Sequence, residues 1–149
     1  MQLPAKSILM LLAFCAAGCS SLGAQVTHYP APKGLPFSEA VQVGDMLYLS
    51  GQIGVAPGEN KLVSGGIEAE ARQAMDNIGA TLERRGIGFD AVVKCTIMLA
   101  DMADWPAFNK VYVSYFKPDT LPARSAFGGV KLAFDGRLEI ECWAHNPRK

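Results

Sequence analysis

Two runs in this sequence, MLYL (46–49) and VVKCTIML (92–99), carry apolar residues at both odd and even positions. A β-strand sends alternate side chains to opposite faces of its sheet, so such runs are expected only where both faces are covered. That demand constrains the fold most, because the chain holds little else that can do the covering.

The available cover is helical. In IEAEARQAMDNIGATLERRG (67–86), Ile67, Ala71, Ala74, Met75, Ile78 and Leu82 fall on one stripe at helical spacing, and Gly86 stops the helix. A second helix is predicted after Asp101 or Asp104, either of which can cap it, with Pro106 tolerated in the first turn. Trp105, Phe108, Val111, Tyr112 and Tyr115 give its inward face, and Pro118 ends it. The last third reads as two strands, 123–132 and 137–144, joined through FDGR as a hairpin signalled by Asp135-Gly136. Residues 25–40, with three prolines and one glycine, read as an irregular lead-in.

The expected fold is therefore α+β, a single sheet with two helices packed on one face. Two helices cover only that face. The second face is expected to be covered by another copy of the chain, as in a homo-oligomer. With 149 residues there is room for one such domain. Fourteen basic and fourteen acidic residues cancel, which gives no attraction toward nucleic acid or anionic lipid. His28 and His145 are far apart and form no metal-ligand pattern, so no metal is expected.

The first residues differ in character. Lys6 precedes an apolar run from Ile8 to Ala17 that is too short to span a bilayer. This is the architecture of a secretory signal, and AAGC (16–19) resembles a lipobox with Cys19 as the lipidated residue. The expectation is a signal over 1–18, a linker over 19–36 and a folded domain over 37–149. The product would be exported to the periplasm and held at the outer membrane only through a lipid on Cys19. Cleavage near Gly23 or Ala24, which discards Cys19, is the alternative. Cys95 and Cys142 lie inside apolar runs and read as buried thiols rather than a bridge, since a domain of this size does not need stapling.

Strand parity points to chemistry. In RLEIECWA (137–144), Leu138, Ile140, Cys142 and Ala144 share the face expected under the helices, and Glu139, Glu141 and Trp143 share the other. Arg124 in LPARSAFGGV (121–130) opens the other strand of the expected hairpin. A guanidinium and a carboxylate at a partly desolvated seam attract each other. From pattern alone the pair reads first as a structural ion pair between subunits, and second as a site.

LYLSGQIG (47–54), the helical block 67–86, VVKCTIMLADMADWPAFNKVYVSYF (92–116), PARSA (122–126) and LEIECWA (138–144) together resemble the reactive intermediate deaminase family, RidA- or YjgF-like. The resemblance spans residues 30–146. It implies a chorismate-mutase-like α+β domain that forms a homotrimer with sites in the clefts between subunits. It also implies hydrolysis of enamines and imines such as 2-aminoacrylate to 2-keto acids and ammonia, without a cofactor. Arg124 would hold the substrate carboxylate, for which a planar two-pronged donor is suited. Glu139 would activate the attacking water and later protonate the leaving amine. Ser50 and Asn109 match cleft-lining positions. Phe37 stands where these deaminases usually carry tyrosine, Glu39 where glutamine is common, and Ala126 where cysteine is frequent. Glu39 is expected to add negative charge near a site meant for an anion.

Two other functions compete. One is an exported, non-catalytic trimer that binds small carboxylates. The other, endoribonuclease activity, is opposed by the neutral charge and the lack of a basic, aromatic-lined groove.

Overall fold

The computed structural model describes residues 23–32 and 34–147, so the proposed signal and Cys19 lie outside the described residues. The chain runs β1 (Val26–Pro30), β2 (Ser38–Val43), β3 (Met46–Leu49), α1 (Gly66–Glu83), β4 (Val92–Leu99), α2 (Trp105–Val113), β5 (Ala123–Gly128) and β6 (Leu138–His145). The strands form one sheet in the order β1-β2-β3-β6-β4-β5. Neighbours are antiparallel except β4 and β5, which are parallel.

The helices form where the stripes predicted them. Ala71, Ala74, Met75, Ile78 and Leu82 of α1 are buried against Leu47, Leu49, Ile97, Leu99, Leu138 and Ile140 of the sheet. Gly86 ends the turn after α1 with φ 74, a left-handed conformation that glycine adopts without a Cβ clash, and the Ile87 N–H bonds back to Leu82 O. Asp101 caps the short 3₁₀ turn before α2 by accepting from Ala103 N–H at 2.8 Å. Asp104 makes no side-chain cap; its carboxylate instead takes two bonds from Arg137, at 2.9 and 2.8 Å.

Three sequence expectations are corrected. Residues 25–40 are not irregular throughout, because β1 and the start of β2 form there. β1 lies at a sheet edge, where its terminal proline leaves no ladder donor missing. The hairpin at Asp135-Gly136 does not form either. β5 pairs with β4, and β6 enters the middle of the sheet between β3 and β4. One face of β6 is fully buried at Leu138, Ile140, Cys142 and Ala144, which suits a central strand, whereas β5 is largely exposed and takes the edge. The positive φ values fall on Phe134 and Asp135, one residue earlier than a hairpin at Asp135-Gly136 requires.

The third correction concerns the cysteines. Cys95 and Cys142 are direct cross-strand partners between β4 and β6, and they form a disulfide with both residues buried. They are 47 residues apart in sequence, so only the strand pairing brings the thiols together.

The sheet face away from the helices carries Tyr48, Lys94, Thr96, Met98, Glu139, Glu141 and Trp143. Trp143 stays 38% exposed there and the edge-strand Phe127 47%, so among the described residues this face has no apolar cover.

Candidate active site

Arg124 does not lie beside Glu139. In the parallel ladder Arg124 is the partner of Cys95, so it projects from the helix face of the sheet. There it meets α2, on which Trp105, Asn109 and Tyr112 form one stripe at i, i+4 and i+7. Arg124 Nη1 donates to Asn109 Oδ1 at 2.8 Å. The guanidinium carbon lies 4.6 Å from the Trp105 ring centre and 4.8 Å from that of Tyr112. Among the described residues no carboxylate pairs with it. Asn109 is thus more than an exposed amide, because it orients the arginine.

Tyr112 lies beneath this group with a buried hydroxyl that has no hydrogen-bond partner among the described residues. Burial pushes its phenol up to about 12, against the opposing pull of Arg124, so Tyr112 stays neutral at ordinary pH.

A second cluster gathers on the opposite face. Glu139 faces Met98 across the β4–β6 ladder, half-buried. The segment after β3 runs alongside it, because Gln52 and Ile140 exchange backbone bonds at 2.8 and 2.9 Å. Gly51 is therefore pressed against the carboxylate. A Cβ at Gly51 would collide with Oε1 of Glu139 and lie 2.8 Å from its carboxyl carbon. Burial, and secondarily the charge of Glu141 two residues along the same face, raise the Glu139 pKa above the usual carboxylate value. Ser50 Oγ donates to Ser38 O at 2.6 Å, which ties the end of β3 to the start of β2. Phe37 immediately precedes β2 and is 49% exposed.

Glu39 does not load charge onto this cluster. The β1–β2 register slips between Tyr29 and Pro30, leaving Glu39 unpaired in the ladder, and such a bulge re-aims a side chain. Its carboxylate is held by Arg84, and by Arg85 Nη2 at 3.0 Å, with the Arg85 guanidinium 3.7 Å above the Tyr29 ring centre. Two cations answer the one anion, which corrects the sequence expectation.

The structure therefore brings Arg124 to Asn109 and sets Glu139 on the other sheet face against Gly51, the chain neighbour of Ser50, while Phe37 is the chain neighbour of Ser38, to which Ser50 bonds. Within one chain these groups do not meet. Sequence reading assigned Trp105 and Tyr112 only to the helix core and overlooked Gly51. The i, i+4, i+7 stripe around Asn109 is the signal that could have marked the first two.

The model of the family described as Endoribonuclease L-PSP matches residues 27–146. A protein of Mus musculus named 2-iminobutanoate/2-iminopropanoate deaminase is 45% identical over 118 residues, covering 79% of this chain and 86% of its own length. Reactive Intermediate Deaminase A, chloroplastic, of Arabidopsis thaliana is 40% identical over 120 residues, covering 80% of this chain and 64% of its own. The crystal structure of yeast Mmf1 superposes with a TM-score of 0.75 at 32% identity, covering 82% of this chain and 99% of that one. The extent of these matches and the shared sheet together show that the chain belongs to the Endoribonuclease L-PSP family, that of the RidA- and YjgF-like proteins.

Proposed function

We propose that this protein hydrolyses small reactive imines and enamines to 2-keto acids and ammonia, in sites shared between protomers of a homotrimer. One observation carries the reading: Arg124 is fixed by Asn109 and two aromatic rings, yet no carboxylate answers its charge within the described chain. A half-buried guanidinium in that state suits a planar anion such as a 2-imino carboxylate. The resemblance to proteins named 2-iminobutanoate/2-iminopropanoate deaminase supports the same substrate class.

In this reading the Arg124 cluster of one protomer faces the Glu139 cluster of its neighbour. The uncovered sheet face, with Trp143 and Phe127 exposed, supports packing between protomers. Glu139 takes a proton from water as the oxygen bonds to the imine carbon, and the C=N bond becomes a C–N single bond. Glu139 then returns the proton to nitrogen. In a second transfer Glu139 takes the proton of the new hydroxyl and passes it to nitrogen, so the C–N bond breaks and ammonia leaves as the C=O bond forms. A carboxyl with a raised pKa suits both transfers, because its basicity lies closer to the working pH.

A second reading keeps the anion site without the turnover. It is favoured by Phe37, whose ring supplies no hydroxyl to substrate or water. A coupled assay that generates 2-iminobutanoate in situ separates the two. Catalysis requires wild type to exceed buffer, with Arg124→Ala and Glu139→Ala both losing the gain. A wild type no faster than buffer that still binds 2-keto acids through Arg124 establishes the binding protein instead.

Export and lipid attachment at Cys19 belong to the same proposal. The apolar run before Cys19 supports it, as does the buried Cys95–Cys142 disulfide, since such bonds persist in oxidising compartments. Labelling with a radioactive fatty acid tests it: label that disappears in Cys19→Ser supports the anchor, and an unlabelled wild type refutes it.

A further inference from the structure

Arg124 reaches its position from an edge strand that is largely exposed, so the strand itself does little to immobilise so long a side chain. An unrestrained arginine loses rotamer freedom when it grips a ligand. The structure supplies a restraint on α2. Trp105 is half-buried at the start of the helix, its ring centre 5.8 Å from that of Phe108, and Phe108 continues to Tyr112 at 5.6 Å. The ladder is anchored in the core, because Phe108 and Tyr112 are both buried. Trp105 therefore has a fixed ring, and the guanidinium lies over it. Asn109 fixes the arginine at Nη1 alone. One hydrogen bond leaves the guanidinium free to swing about that contact, and the ring faces remove this freedom.

We propose that Trp105, supported by Tyr112, is a positioning residue that holds the Arg124 guanidinium ready for the substrate carboxylate. This inference rests on the anion-binding role of Arg124 proposed above. Trp105 touches the arginine rather than the substrate. Its effect falls on carboxylate affinity and hence on KM, while the water-activating chemistry at Glu139 is left largely alone. The aromatic face is the active feature, so phenylalanine should replace tryptophan and leucine should not.

Three measurements on the full protein test this. The first is the ligand-free order parameter of the Arg124 Nε–H group, by ¹⁵N relaxation. The second is the dissociation constant for 2-oxobutanoate, by calorimetry, together with KM and kcat for 2-iminobutanoate. Trp105→Leu is expected to mobilise the Arg124 group, weaken 2-oxobutanoate binding about two- to thirtyfold, and raise KM similarly with kcat largely kept. Trp105→Phe is expected to remain within about twofold of wild type. A Trp105→Leu protein with Arg124 as ordered and binding as tight as wild type overturns the proposal. So does a Trp105→Phe protein that falls as far as the leucine variant.

The third measurement covers a leucine variant that does not fold. The wild type carrying 5-fluorotryptophan has two tryptophan signals, from Trp105 and Trp143, and Trp105→Phe assigns them. The Trp105 signal is expected to shift with 2-oxobutanoate in wild type and to stay put in Arg124→Ala. No shift at saturation overturns the inference. A wild type that neither binds 2-oxobutanoate nor turns over imine defeats the functional reading, and the order-parameter comparison then still decides the positioning claim.

Discussion

Arg124 and Glu139 lie on opposite faces of one sheet, on β5 and β6, with β4 between them. If they act on one substrate they must come from different protomers. In the proposed homotrimer, Arg124→Ala and Glu139→Gln proteins are each expected to be inactive, whereas trimers assembled from an equal mixture regain activity. Random assembly restores about a quarter of wild-type sites, because each needs an intact arginine on one side and an intact glutamate on the other. Activity that stays at background in mixed trimers, with exchange verified by mass spectrometry, excludes a shared site.

Gly51 leaves room for the Glu139 carboxylate. Gly51→Ala is expected to push that flexible side chain aside and lower kcat about tenfold to hundredfold, because small misplacements of a catalytic group are costly. Stability should change by less than about 1 kcal/mol, since a side-chain tip and not backbone must move. Steady-state kinetics beside a thermal melt check this. Unchanged kcat would remove Glu139 from the chemistry or show that it rearranges freely.

The raised pKa of Glu139 sets a pH dependence. As a base it must be ionised, so the acidic limb of kcat/KM is expected above the ordinary glutamate range. Glu141→Gln removes the smaller of the two causes and should move that limb to lower pH, while burial keeps it elevated. The effect on stability has the opposite sense to that of a salt-bridged acid. A carboxyl whose folded pKa is raised binds its proton more tightly in the native state, so stability falls as pH rises from the unfolded toward the folded value. Glu139→Gln should therefore melt higher than wild type at neutral pH, and the advantage should fade in acid where both side chains are uncharged. A Glu139→Gln protein that melts lower at pH 7 contradicts the burial argument.

The Cys95–Cys142 bridge joins the interior strands β4 and β6 across 47 residues of sequence. Replacing both with alanine is expected to cost about 2–4 kcal/mol, read as a lower melting temperature that excess reductant reproduces in wild type. Cys95 and Cys142 alkylated as separate free thiols in a peptide map of the denatured, unreduced protein would show that the bond is absent.

Much of the fold could be read locally. The α1 stripe and its stop at Gly86 depend on neighbours three or four residues apart, and so does the inward face of α2. The parity of LEIECWA named the buried and open faces of β6 correctly, because alternation is a property of the strand itself. The order of the strands could not be read in this way. Asp135-Gly136 looked like a hairpin, yet the apolar face of β6 is better buried between β3 and β4 than at an edge. That competition between positions in the sheet leaves no mark in ten residues of sequence.

The sequence by itself determined which side chains carry charge, which faces are apolar, and that two helices are too few to cover the sheet. Tertiary structure decided the partners: Arg124 with Trp105, Asn109 and Tyr112, Glu139 with Gly51, Glu39 with Arg84 and Arg85, and Cys95 with Cys142. The reason is physical. Helical and strand periodicity are set by bonds along the chain, whereas contacts between distant segments follow from sheet register, and a register shift of one residue turns every side chain of a strand to the other face.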